Sequence, residues 1–162
     1  MPLRICILQA DELHPTMQAQ FHSFGQMFVR FLSQQSMPVH CDIYDVVSEH
    51  YPEQDAEYDA FLITGSKADS FGTDPWIVRL RDYLAWRYQK GDVLLGVCFG
   101  HQILALALGG LTERSSKGWG AGVHQYQTLM PQLAGVSIPE KLKLLISHRD
   151  QVTRLPAQAT CL

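Results

Sequence analysis

A chain of 162 residues, 46% hydrophobic and 18% charged, has the size and composition of one globular domain that buries a substantial core, and is short for two. A formal net charge of -3 without any Lys/Arg cluster argues against nucleic acid and anionic membranes as partners, because both need a concentrated basic face, and leaves a small molecule or a protein. The opening MPLRICILQA holds one basic residue and too short an apolar run for a secretory segment, and no later stretch reaches membrane-spanning length, so a cytoplasmic location is expected.

In chain order, residues 4–9 (RICILQ) form a short apolar run with β-branched content and read as a strand. Met17, Phe21, Phe24, Phe28, Phe31 and Leu32 then recur at helical spacings, with Gly25 weakening the middle or marking the start. Residues 39–47 (VHCDIYDVV) complete a β-α-β unit, and residues 59–65 (DAFLITG) are a third strand ended by glycine. Beyond the polar loop SKADSFGTD, Asp74 has the character of an N-cap and Pro75 of a first helical residue. The helix they open places Trp76, Leu80, Tyr83, Leu84 and Tyr88 on one face and closes at Gly91. DVLLGVC is so continuously apolar that it reads as a strand buried on both faces. A helix over residues 100–108 follows and stops at Gly109-Gly110, after which residues 123–129 and 142–147 look extended. The pattern predicts an α/β fold: a doubly wound, mostly parallel sheet with a small antiparallel excursion after Gly110, forming one domain over residues 1–162.

In such a sheet, ligands bind at the carboxyl ends of the strands, where Cys98 is placed. Gly96 and Gly100 make GVCFG a cysteine version of the strand-turn-helix nucleophile elbow, and the helix behind it points its N-terminus at the sulfur, favouring thiolate. The competing reading is a small buried hydrophobe in a turn. Cys6, Cys41 and Cys161 form no CxxC pair with Cys98 or with each other, so all four are expected to be free thiols.

Four separated segments, LITGS, GVCFGHQ, GWGAGVHQY and SHRDQV, occur in this order, and together they resemble the class I glutamine amidotransferases, in particular the stand-alone type related to the amidotransferase domain of GMP synthase. The resemblance implies a flavodoxin-like fold that hydrolyses the side-chain amide of glutamine to glutamate and ammonia through a γ-glutamyl thioester. It gives Cys98 the role of nucleophile. The backbone amide of Phe99 would be one half of the oxyanion hole, and the turn at Gly65 and Ser66 the other, although many members carry two glycines there. Gln102, one helical turn past Cys98, would bind the amino-acid end of the substrate, with Ser147, His148 and the backbone near Arg149 lining the same pocket; His101 reads as structural. No cofactor is implied. The partners implied are glutamine and an ammonia-accepting synthase domain or subunit.

The family's catalytic base is a His-x-Glu pair, and no His-x-Glu occurs in these 162 residues. The nearest pattern, His148-Arg149-Asp150, falls in the stretch assigned to substrate binding. The expectation is therefore a chain that lacks the family's C-terminal segment and its late strands, exposes a hydrophobic sheet edge, and associates with a second copy or a partner. Two other readings stand beside it: a γ-glutamyl hydrolase or cysteine peptidase relative with a similar elbow, and a non-catalytic binding or assembly protein of the same fold. GWGAG precedes a strand and so is no dinucleotide fingerprint, and His40, Cys41 and Asp42 alternate along a strand and cannot close on one metal.

Overall fold

Alternation of side chains along β1 (Leu3–Gln9) organises the molecule, because both of its faces are apolar and each must be covered. In the computed structural model, which describes residues 1–133 and 135–162, β1 pairs in parallel with β2 (Val39–Asp45) on one side and β3 (Ala60–Ile63) on the other. β4 (Leu94–Gly96) adds in parallel to β3, giving the order β2-β1-β3-β4. Ile5 and Ile7 of β1 and Leu62 of β3 face α2 (Phe24–Leu32), meeting Phe28, Val29 and Leu32. Cys6 and Leu8, with Phe61 and Ile63, face the opposite way against Ile77, Leu80 and Leu84 of α3 (Pro75–Gln89) and Phe99 and Ile103 of α4 (Phe99–Ala107). Each fully buried side chain among these contributes roughly 1.5–3 kcal/mol, and both faces of the sheet are covered, the one by α2 and the other by α3 and α4.

Several local features differ from the sequence pattern for identifiable reasons. The first helical stretch is two helices, α1 (Pro15–Phe21) and α2, separated at His22, which takes φ 61°, and Ser23, whose side chain caps α2 by accepting from Gln26 N at 3.2 Å. Gly25 lies inside α2 and permits close packing on β2, since a Cβ there would fall 2.6 Å from Ile43 Cγ2. α3 begins with Asp74 and Pro75 as expected, although the Asp74 carboxylate makes no capping bond. Its buried face runs through Ile77, Leu80, Leu84 and Arg87, so Tyr88 is exposed while Trp76 and Tyr83 pack at the margin. Arg87 is tolerated there because its guanidinium lies 4.3 Å from the Phe61 ring centroid and 4.7 Å from that of Trp86. Its Nε also donates to Tyr83 Oη at 2.8 Å, and its Nη1 pairs with Asp92 at 3.3 Å.

The reading of β4 as a strand buried on both faces is corrected. Among the described residues nothing pairs with its outer edge, and Val93, Leu95 and Val97 are all exposed. Beyond α4 the chain leaves the parallel sheet, as expected, for three antiparallel pairs. β5 (Leu111–Arg114) pairs with β10 (Asp150–Arg154), β6 (Gly120–Gln127) with β9 (Lys141–His148), and β7 (Gln132–Leu133) with β8 (Val136–Ser137).

The passage from β4 into α4 is sterically the tightest point. A Cβ on Gly100 would fall on the carbonyl oxygen of Ile63, and one on Gly96 would lie 2.5 Å from the Gly100 carbonyl oxygen. Both obstacles are backbone and cannot swing away. Gly100→Ala is therefore expected to cost about 3 kcal/mol or more, at the upper end of overpacking effects, and to lower the melting temperature measured by circular dichroism far more than Ala at an exposed helical position would.

Candidate active site

Cys98 stands between β4 and α4 in a backbone conformation that a residue with a side chain rarely adopts, φ 53° and ψ -108°. Two backbone bonds hold it: Val97 N donates to Ile63 O at 3.0 Å, and Gly100 N donates to Val97 O at 2.9 Å. The chain turns sharply, the thiol is left exposed at the carboxyl end of the sheet, and the Cys98 carbonyl opens the helix by accepting from Gln102 N at 3.1 Å. A strained, non-glycine residue held at a strand-helix turn costs on the order of 1–3 kcal/mol and persists only where the surroundings over-determine it.

The turn after β3 lies against this elbow. A Cβ on Gly65 would sit 3.7 Å from Cys98 Cβ. The turn is held from below: Ala10 N donates to Thr64 Oγ1 at 2.9 Å, and the buried Asp11 carboxylate accepts from Lys67 N at 2.7 Å and from Glu12 N at 2.8 Å, with Lys67 Nζ 3.1 Å away. Ala68 N is taken by Ser66 Oγ at 3.1 Å. The amides of Lys67 and Ala68 are thus committed, whereas those of Gly65 and Ser66 have no acceptor among the described residues. Phe99 buries its ring beside Trp76, and its amide is among the first of α4, which have no intrahelical acceptor.

On the other flank, β9 and β10 bring Ser147, His148, Arg149 and Asp150 to the same place, around a small polar recess of about 50 Å³ that Cys98, Ser66 and Gln102 also line. Gln102 is buried; its Nε2 donates to Asp150 O at 2.8 Å, and its main-chain carbonyl accepts from Thr112 Oγ1 at 3.1 Å, so α4 is tied to both β10 and β5. A second compartment of about 730 Å³, mostly apolar, opens on the other side of the thiol between α2, the Gly65 turn and Trp119. A further cavity of about 600 Å³ lies at the amino ends of the strands, beside Arg4, Asp59 and Asp92, far from the elbow.

The sequence-based assignments to Cys98, Gly65, Ser66, Gln102, Ser147, His148 and Arg149 thus fall around one point. Asp150 does not pair with His148. Its Oδ1 faces Arg114 Nε at 3.5 Å and Arg149 Nε at 3.9 Å, so His148-Arg149-Asp150 is not arranged as a base with an orienting carboxylate. Asp69, in the loop after β3, accepts from Arg114 Nη2 and, at 3.3 Å, from Arg149 Nη2, which closes a four-membered ionic ring beneath the recess. Burial tends to raise the Asp69 carboxyl, but the two arginines outweigh it and hold it below its ordinary value of 3.8. His101 is lowered from its ordinary value, first by desolvation and then by the charge His148 can carry, although much of the residue is exposed.

Asp11, Asp69, Arg114 and Trp119 were not picked out from the sequence. For Asp11 there was a signal, a carboxylate placed directly after a central parallel strand. Trp119 lies within GWGAGVHQY, one of the segments that carry the resemblance, whereas Asp69 and Arg114 are joined to the site only by tertiary pairing.

The family model for class-I glutamine amidotransferases matches residues 17–162. Over 128 residues the chain is 34% identical to γ-glutamyl peptidase 5 of Arabidopsis thaliana, covering 75% of this chain and 51% of that protein. Over 144 residues it is 31% identical to the glutamine-hydrolysing GMP synthase of Mannheimia succiniciproducens, covering 82% of this chain and 26% of that protein. A crystal structure of a glutamine amidotransferase from Thermotoga maritima superposes with a TM-score of 0.78 at 20% identity, over 99% of this chain and 66% of that one, which shows the shared fold. The chain spans about half the length of the plant γ-glutamyl peptidases it matches.

Two outcomes follow from the site's electrostatics. Burial pushes the Cys6 thiol up to about 12, so iodoacetamide at pH 8 is expected to leave Cys6 unmodified in the native protein and to modify it only after unfolding, while Cys98 reacts natively. Asp69 has a depressed folded pKa, so its contribution to stability is present above 3.8 and is lost as pH falls through the folded value. Asp69→Asn should flatten that acid limb in thermal unfolding measured across this range, and an unchanged limb would separate Asp69 from the acid response.

Proposed function

Because this chain belongs to the class-I glutamine amidotransferase family, we propose that its carboxyl-edge site cleaves the side-chain amide of glutamine, with Cys98 as nucleophile. The observation that supports this reading is the strained turn at Cys98, exposed at the carboxyl edge, with the Gly65 turn packed against it.

In this reading the Cys98 sulfur attacks the amide carbon, and the oxygen, gaining negative charge, is met by the amide of Phe99 from α4 and by that of Gly65 or Ser66 from the opposing turn. The carbon–nitrogen bond then breaks, the nitrogen takes a proton and leaves as ammonia, and a γ-glutamyl thioester remains on Cys98. Water attacks the thioester, releasing glutamate and returning the proton to sulfur. Ser147, His148 and Arg149 hold the charged amino-acid end of the substrate. Gln102 joins them through its side-chain oxygen Oε1, because its side-chain nitrogen Nε2 is engaged by the Asp150 carbonyl. Asp11 acts through the turn by holding the Lys67 amide and so orienting those of Gly65 and Ser66.

Within residues 1–162 no His-x-Glu pair is present to move protons in the deacylation step. A positioned base contributes about 10²- to 10⁴-fold, so these residues alone should acylate faster than they turn over. The released ammonia would pass to a synthase domain or subunit, and the cytoplasm is the compartment we assign to the protein. A second reading, cleavage of larger γ-glutamyl amides, is favoured by the apolar compartment beside the thiol.

A glutamine analogue bearing a chloroketone tests the assignment. It should alkylate Cys98 in preference to Cys161, which is also exposed but has no elbow, and excess glutamine should protect. Equal labelling of Cys98 and Cys161, measured by peptide mass spectrometry, would contradict it. Gln102→Ala should slow this labelling about tenfold, the loss of one substrate hydrogen bond, while changing the iodoacetamide rate at Cys98 by less than about twofold.

A further inference from the structure

Arg149 joins β9 to β10, and its backbone is fixed, because Ser115 N donates to its carbonyl oxygen at 3.0 Å. Its long side chain is not fixed by that bond, so the groups that meet the guanidinium decide where it rests. Its Nη2 donates to Asp69 Oδ1 at 3.3 Å, and its Nε stands 3.9 Å from Asp150 Oδ1 without a hydrogen bond. The Trp119 ring centroid lies 5.8 Å from its Cζ. Arg114 repeats the arrangement: its Nη2 donates to the other oxygen of Asp69, and its Nε stands 3.5 Å from the same Asp150 Oδ1. Both planar cations are thus held by the same edge, Nε and Nη2. Arg114 lies outside the recess, 5.8 Å from the Phe71 ring centroid, whereas Arg149 lines the recess together with Cys98 and Ser147. Among the described residues nothing accepts from Arg149 Nη1.

Stability does not account for Asp69. The side chains of Asp69, Arg114 and Arg149 are 38%, 46% and 37% exposed, and ion pairs of that exposure contribute little to folding. Neither arginine needs Asp69 as a counter-charge, since the buried Asp150 faces both. What Asp69 adds is direction. Without it Asp150 is the one carboxylate left beside Arg149, and the guanidinium would close the 3.9 Å gap and turn out of its present pose. Asp69 also belongs to the loop that begins with the Gly65-Ser66 turn, where Gly72 N holds the Asp69 carbonyl at 2.8 Å. The pose of Arg149 is therefore indexed to the turn that packs against the thiol.

We propose that Arg149 takes the carboxylate of the substrate's amino-acid end through Nη1, and that Asp69 is the positioning residue that holds the guanidinium in that pose, with Arg114 as its anchor. The inference rests on the reading of the recess as the place of the amino-acid end, and adds the group that reads its carboxylate. A fixed, planar, always-charged donor suits a carboxylate better than a mobile one, because less freedom is lost for each charge-assisted hydrogen bond. The ring holds two positive and two negative charges, so a zwitterionic end is received without a net charge being left over.

The test uses the 162-residue chain and the chloroketone analogue of glutamine, which keeps the free amino and carboxylate groups. The concentration that gives half the limiting rate of Cys98 labelling is measured beside the rate of iodoacetamide, which has no carboxylate, at the same thiol. Arg149→Ala and Asp69→Ala should each raise that concentration about tenfold, the loss of one charge-assisted hydrogen bond, and change the iodoacetamide rate by less than about twofold. In the Arg149→Ala background, Asp69→Ala should add less than about twofold, because Asp69 acts through that guanidinium. The inference is overturned if Asp69→Ala leaves the half-saturating concentration unchanged, slows both reagents alike as a structural role would, or keeps its full effect without Arg149. An unchanged concentration in Arg149→Ala, with glutamine still protecting Cys98, would also overturn it and leave the glutamine reading intact. Labelling that does not saturate and that glutamine does not slow would overturn both.

Discussion

The backbone contact between α4 and β3 is the constraint on which the carboxyl edge of this molecule depends. Gly100 approaches the Ile63 carbonyl so closely that no side chain fits, and Gly96 is equally close to Gly100. A helix pressed this tightly on a strand leaves one residue to absorb the change of direction, and that residue is Cys98 at φ 53°. The conformational cost is on the order of 1–3 kcal/mol and is offset by the packing of Phe99 and Ile103 into the core directly behind the turn. The exposed thiol is thus held in place by buried neighbours, as the proposed role of nucleophile would require.

Around that point the site is assembled from parts of the chain that are far apart. Asp11 after β1 holds the turn after β3, Gln102 on α4 holds the backbone of β10, and Asp69 gathers Arg114 of β5 with Arg149. The parallel sheet alone would present the thiol and the turn at Gly65 and Ser66. The antiparallel strands after Gly110 supply the far wall of the polar recess, and the ionic ring fixes them to the loop after β3. Asp150 is buried and its Oδ1 accepts no hydrogen bond from the described residues, so its charge is met there by the two nearby guanidinium groups. Substitution of both arginines would leave it uncompensated, a costly state in a low-dielectric setting.

Much of this architecture was legible in the sequence because it is written in local patterns. The apolar runs of β1 and β3, Asp74-Pro75 at the start of α3, and the glycines flanking Cys98 each carry their own physical reason. What was not legible depends on neighbours. β4 reads as doubly buried because Leu94, Leu95 and Val97 are all apolar, yet its exposure is decided by what lies beside it and not by its composition. The break between α1 and α2 turns on His22 and Ser23, which an unbroken helical spacing of Met17, Phe21 and Phe24 conceals. Asp69 and Arg114 are 45 residues apart, and no pattern along the chain links them.

The central claim is that Cys98 becomes acylated by a γ-glutamyl group, and intact-protein mass spectrometry after incubation with glutamine tests it most directly. The account predicts a mass increase of one γ-glutamyl group, localised to the peptide containing Cys98, discharged by hydroxylamine and lost in Cys98→Ala. A protein that binds glutamine but never carries that adduct, or one that carries it on Cys161, would contradict the account.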